Sequence, residues 1–178
     1  MEIDETFERD YEVEIGELPP SGGDICYVGG NGTHRTDGLI LQLRKDCANY
    51  LAQFAFGDWG GNYISWVGGT PNREILCVVA RGQTYLLHAL TRTAQAIGKT
   101  RVSRVIADPA AKLLVVADYT TIFGIGSKGI AWTSNELSDD ELSLTRVEGG
   151  HAFLTVWKAE FQQSEEVIIS LIDGRVVG

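Results

Sequence analysis

Short apolar runs punctuated by glycine-rich turns dominate the chain. Tyr11-Glu12-Val13-Glu14-Ile15 alternates apolar and acidic residues, the period-two pattern of a half-buried strand whose outward glutamates guard a sheet edge. After the break at Leu18-Pro19-Pro20-Ser21-Gly22-Gly23, strands are expected at Asp24–Val28, Leu39–Leu43, Tyr63–Val67, Ile75–Ala80 and Thr84–Leu87. Lys112–Ala117, Thr120–Ile125, Ile130–Trp132, Leu142–Val147, Ala152–Trp157 and Val167–Ile172 continue the series. Two segments read differently. Asp46 is placed to cap a short helix running toward Phe56. His88–Ile97 carries Leu90, Ala94 and Ile97 three or four residues apart, with Gly98 just beyond, and this spacing predicts a second short helix.

Strands of about 5–6 residues with turn signals every 8–12 or so argue for antiparallel pairing. The expected fold is mainly β, with antiparallel sheets arranged as a sandwich or small barrel and one or two short helices. A chain of 178 residues fits one β-rich domain over residues 1–178, with polar residues 1–10 loosely ordered.

An internal repeat offers an alternative, a small propeller-like repeat fold. A shift of 37 places Leu76-Cys77-Val78-Val79-Ala80 on Leu113-Leu114-Val115-Val116-Ala117 and Thr84 on Thr121. A period near 40 is that of a propeller blade. Gly129-Ile130-Ala131-Trp132 resembles the strand ends of quinoprotein-type blades, and residues 113–178 resemble small bacterial proteins of unassigned function with propeller-blade-like hairpins. That resemblance implies no activity.

Charge narrows the partners. Lys+Arg total 15 against 24 Asp+Glu, a net charge of -9. Residues 1–18 carry eight acids against Arg9, whereas residues 73–112 carry seven bases against two acids. Residues 113–178 return to ten acids and four bases. An acidic chain repels a phosphate backbone over a Debye length of about 8–10 Å, which disfavours nucleic acid. The basic segment 73–112, with Arg101 and Arg104, is the one place for weak nucleic-acid binding; pairing with the acidic N-terminus is its simpler use. Met1-Glu2-Ile3-Asp4-Glu5 lacks the basic and apolar regions of an export signal. No apolar run approaches the roughly 18–20 residues that cross a bilayer. Cys26, Cys47 and Cys77 are odd in number and form no CxxC, which fits a reducing cytoplasm.

Motifs for chemistry are few. Gly124-x-Gly126-x-x-Gly129 matches a dinucleotide fingerprint in form, but Ile130-Ala131-Trp132 follows as a strand where the mechanism needs a helix, so Gly126–Gly129 reads as a hairpin turn. His34, His88 and His151 stand apart with no metal-ligand spacing, so neither a metal nor a cofactor is expected. His88 reads as a packed or capping histidine. Cys77 lies in an apolar run and reads as a small buried hydrophobe.

The loop Gly29–Gly38 brings His34, Arg35 and Asp37 together, and Trp59 and Tyr63 lie among glycines that can expose aromatic rings for stacking. These five are the candidate binding residues. The expected function is that of a non-enzymatic cytoplasmic interaction protein with an acidic surface for a basic protein partner. Residues 1–18, 29–38 and 57–70 are its contact candidates, and an immunity or antitoxin-like role against a basic effector fits this physics. A small hydrolase-like enzyme with a loop-borne site would use His34, Asp37 and Cys47.

Overall fold

A computed structural model describes residues 1, 3–18, 23–29, 37–57, 63–98 and 101–178. These residues form strands, turns and irregular chain, without a helix. Numbered along the chain, the first sheet holds β2 (Glu12–Ile15), β3 (Ile25–Val28), β4 (Gly38–Lys45) and β5 (Ala48–Ala55), in the order β2-β4-β5-β3. Here β3 runs parallel to β5 and the other pairs are antiparallel. The second sheet is a meander of β6 (Trp66–Gly69), β7 (Ile75–Ala80), β8 (Gln83–His88) and β9 (Ala94–Ile97). A short β1 (Ile3–Asp4) lies parallel beside β6. A second meander, β10 (Arg104–Asp108), β11 (Leu113–Ala117), β12 (Ile122–Gly126) and β13 (Gly129–Thr133), makes the third sheet. The fourth comprises β14 (Leu142–Glu148), β15 (His151–Lys158) and β16 (Gln163–Ser170).

The sheets stack face to face in chain order, and alternation along each strand explains why. On β7, Leu76, Val78 and Ala80 share an apolar cluster with Leu41, Leu43, Tyr50 and Phe54 of the first sheet. The intervening Cys77 and Val79 share another with Leu114, Val116, Phe123 and Ile125 of the third. On β11, Leu113, Val115 and Ala117 turn the other way, onto Leu144, Leu154, Val156 and Ile169 of the fourth. Strands covered on both faces read as unbroken apolar runs. Each fully buried Leu or Phe contributes roughly 1.5–3 kcal/mol relative to exposure. Among the described residues the first and fourth sheets each contribute to a single cluster, so each has one face that no neighbouring sheet covers.

The repeat visible at a shift of 37 has a structural counterpart. Its two copies are β7 and β11, the second strands of consecutive four-stranded meanders.

Three expectations require correction. Among the described residues no sheet closes on itself as a barrel. The segment expected as the helix His88–Ile97 is the end of β8, a turn, and β9, with Leu87 opposite Ala94 and Thr84 opposite Ile97. Leu90, counted on the apolar face of that helix, is 49% exposed in the turn, and Arg92 there takes a φ of 59°. The helix expected after Asp46 is β5; Asp46, at a φ of 51°, starts the turn that pairs Lys45 with Ala48. Pairing with β3 and β4 for β5, and with β8 alone for the edge strand β9, outweighs the helical preference of Ala, Leu and Gln. Gly68 and Gly69 form the end of β6, where a Cβ at Gly69 would lie 2.8 Å from the Phe7 carbonyl oxygen. No helix among the described residues is long and apolar enough to cross a membrane.

Candidate functional site

Four of the five expected site residues are scattered or lie beyond view. His34, Arg35 and Trp59 fall outside the described residues. Asp37 is exposed immediately before β4. Tyr63 is half-buried, and its Cβ lies 2.9 Å from where a Cβ would stand on Gly82. Tyr63 nonetheless marks a rim where the structure gathers polar groups. Gly82 donates its N–H to Ile64 at 3.0 Å and accepts from Val102 at 2.9 Å, and this links the approach to β6, the β7–β8 turn and the approach to β10.

Arg101 sits beside this knot with a φ of 84°, a left-handed conformation that a long side chain rarely adopts. Its guanidinium lies 5.5 Å from the centre of the Tyr119 ring, a cation–π distance. The Tyr119 hydroxyl donates a hydrogen bond to the Asp140 carboxylate. That bond, more than burial or the carboxylate's charge, raises the phenol above its ordinary value. A phenol held protonated is a donor and not a base.

The turn carrying Tyr119 is built from below. Buried Asp118 accepts the Thr120 N–H at 2.9 Å, the Thr121 N–H at 2.7 Å and the Thr121 hydroxyl at 2.7 Å. Thr120 in turn accepts the Leu137 N–H at 2.8 Å, which anchors the connection to the fourth sheet.

Beyond Asp140 the rim opens into a shallow cleft of about 250 Å³ lined by Asp140, Glu141, Ser143, Thr155, Trp157 and Ser164. Register explains the lining: Ser143 pairs with Thr155 and Trp157 with Ser164, while Leu142, Leu144, Leu154 and Val156 point into the core. The cleft is therefore on the uncovered face of the fourth sheet. On the same face Phe153 already receives a cation, with the Arg146 guanidinium 3.8 Å from its ring centre. Ser138 fixes the near end, donating to Glu141 at 2.7 Å and accepting the Trp157 N–H at 2.9 Å.

The acids of the N-terminal segment are differently placed. Arg9 holds Glu5 at 2.5 Å, Arg44 lies 3.8 Å from Glu12 and 3.2 Å from Glu14, and Arg73 pairs with Glu8 and reaches Asp10 at 4.0 Å. Arg92 binds Asp24 at 2.7 Å and stacks 4.3 Å over Tyr50. Within the basic segment, Arg73 and Arg92 thus face carboxylates, and Arg81 lies 4.3 Å over Phe56.

Cys77 is fully buried, and burial pushes its thiol up. Burial likewise raises half-buried Cys26, whose sulfur lies 3.6 Å from the Arg92 carbonyl. Cys47 is exposed in the β4–β5 turn. Among the described residues no three His, Cys, Asp or Glu side chains are grouped to hold a metal ion.

Tyr63 was legible in the sequence but Tyr119, Asp140 and Trp157 were not, because they come together from the third and fourth sheets and no local motif joins them. The positive φ of Arg101 has no signature in the sequence either. No family model matches the chain, and neither a curated protein nor a solved structure does.

Proposed function

We propose that this chain is a non-catalytic binding module that docks a basic segment of a protein partner in the Asp140–Trp157 cleft. The observation carrying this reading is the pairing of an indole with two carboxylates on a sheet face that, among the described residues, no other sheet covers. An arginine or lysine entering there would meet Trp157 as a cation–π surface and Asp140 and Glu141 as charge partners. Arg146 over Phe153 is the same chemistry made within the chain. The charge balance adds to it, since residues 113–178 carry ten acids and four bases and such a field accelerates encounter with a basic partner.

Neutralising a basic effector, as an immunity protein or antitoxin does, is the role that this recognition serves best. Three free cysteines support a reducing, cytoplasmic setting. The two consecutive meanders and the 37-residue shift support reading the sheets as propeller-blade-like units.

The test is titration with a nona-arginine peptide at low salt, followed by tryptophan fluorescence and calorimetry. Trp157→Ala and the pair Asp140→Asn/Glu141→Gln should each weaken binding about tenfold, the scale of a desolvated cation–π contact or a lost charge partner. Glu12→Gln/Glu14→Gln, whose acids already face Arg44, should change it little. Wild-type affinity in both cleft variants would refute the proposal.

A further inference from the structure

We infer that a second cleft, between the second and third sheets, binds a small organic carboxylate with a compact apolar body. This goes beyond the docking of a basic segment, carries the opposite charge preference and lies on different sheets. The cleft encloses about 430 Å³, within the range of small-molecule sites.

Register shows how it forms. Ile75 pairs with His88 and Leu86 with Gln95, so these four side chains share the face of the second sheet that meets the third. Opposite them the third sheet covers the core with Leu114, Val116, Phe123 and Ile125, and then stops at the turn Gly126–Gly129. Glycine opens the space: a Cβ on Gly129 would meet nothing within 4 Å. The Asn72 side-chain amide donates to the Ser127 carbonyl at 3.2 Å and ties the two sheets together beside the opening.

Its lining has two ends. Ile75 and Leu86 make an apolar floor, whereas His88, Thr91, Thr93, Gln95 and Lys128 supply polar groups. Lys128 decides the sign of the ligand. It lines the opening and has no carboxylate within 4.0 Å among the described residues. Glu74 is not among the lining residues; its carboxylate lies 3.4 Å from Nε2 of the lining residue His88 and 3.6 Å from Lys45 Nζ. Thr91 and Thr93 stand with their hydroxyls 3.0 Å apart, one of which has a proton to donate outward. One cation with hydroxyl and amide donors above an apolar floor suits a monoanion on a hydrophobic body, and a bare dianion such as phosphate would leave that floor unused.

Benzoate is the probe, with benzamide and benzamidinium as neutral and cationic controls of the same shape, titrated into the full chain by amide NMR. Benzoate should shift the amides of Leu86, His88, Gln95 and Gly129 with a Kd of about 1 mM, typical of a fragment this size. Benzamide should bind at least about fivefold and Lys128→Gln about tenfold more weakly. Gln95→Trp, on an exposed position of the cleft wall, should abolish the shifts. Both substitutions are at exposed sites, and unchanged spectra away from the cleft will show that the fold is kept. The inference is overturned if benzamidinium matches benzoate, if Lys128→Gln binds as wild type, or if those four amides stay still at about 20 mM benzoate.

Discussion

Replacing Asp118 by alanine should destabilise the protein by about 3 kcal/mol, and the structure says where that figure comes from. The carboxylate is 1% exposed and accepts three hydrogen bonds, two from backbone N–H groups and one from a hydroxyl. Bonds to a charged acceptor contribute roughly 1.5–3 kcal/mol each but are not additive when they share one acceptor group. The donors also differ in what they can do once it is gone. The Thr120 N–H is half-buried and reaches water, and the Thr121 hydroxyl can rotate, but the Thr121 N–H is sealed in and keeps its full desolvation cost. One complete loss and two partial ones give about 3 kcal/mol. Asparagine keeps an acceptor for both N–H groups and should cost about 1 kcal/mol.

Urea unfolding reads this directly, because at a slope of about 2 kcal/mol/M the alanine variant should lose about 1.5 M in midpoint without a change in slope. Thr121→Ala in the Asp118→Ala background should then cost at least about 1 kcal/mol less than it does alone, since the two groups share a bond. The reasoning fails if alanine and asparagine are equivalent, or if the two substitutions simply add.

Other perturbations probe the packing and the ionisation. Gly124→Ala should lower stability by roughly 1–3 kcal/mol, because its Cβ would stand 2.6 Å from Trp132, whose indole is pinned by a 2.7 Å bond to the Leu171 carbonyl; thermal unfolding with Trp132→Phe as comparison checks it. Phe123→Ala, at 1% exposure between the second and third sheets, should cost about 3–5 kcal/mol, and calorimetry should show it. Burial pushes the Tyr50 phenol, bonded at 2.7 Å to the Ala89 carbonyl, up to about 12. Its folded value is thus raised above the unfolded one. Its contribution is complete below about pH 10 and is lost as pH rises toward 12, where the unfolded chain releases a proton that the folded one retains. Tyr50→Phe should flatten that alkaline decline in stability, and an unchanged slope would assign it to other groups.

The strands that could be read from sequence are those whose burial is consistent from end to end. Leu113–Ala117 is buried at every position, and its apolar run names it without reference to anything else. Glu12–Ile15 was equally plain by alternation, although Ile15 at the sheet edge remains 52% exposed. Reading failed where composition and environment disagree. Ala48–Ala55 contains three alanines, a leucine and a glutamine, and only its two neighbours β3 and β4 make it a strand. Arg104–Asp108 is half-exposed along its length, edges the third sheet and carries no strong pattern, so nothing local announces it.

The same division explains why the candidate sites were largely illegible. One cleft is on the outer face of the fourth sheet and the other between the second and third, and the walls of each come from residues far apart in the chain: Asp140 with Ser164 in one, Leu86 with Lys128 in the other. Charge arithmetic pointed first to residues 1–18, because a count of acids cannot register that Arg9, Arg44 and Arg73 stand against them. What remains after that cancellation is spatial. Acidic side chains on the last sheet share their face with Trp157, whereas Lys128 meets an apolar floor at a glycine turn. An acid beside an indole selects a cation, and an ammonium over an apolar floor selects an organic anion. The outer face of the fourth sheet thus presents carboxylates and the cleft between the second and third a lysine, a contrast that the net charge of -9 averages away.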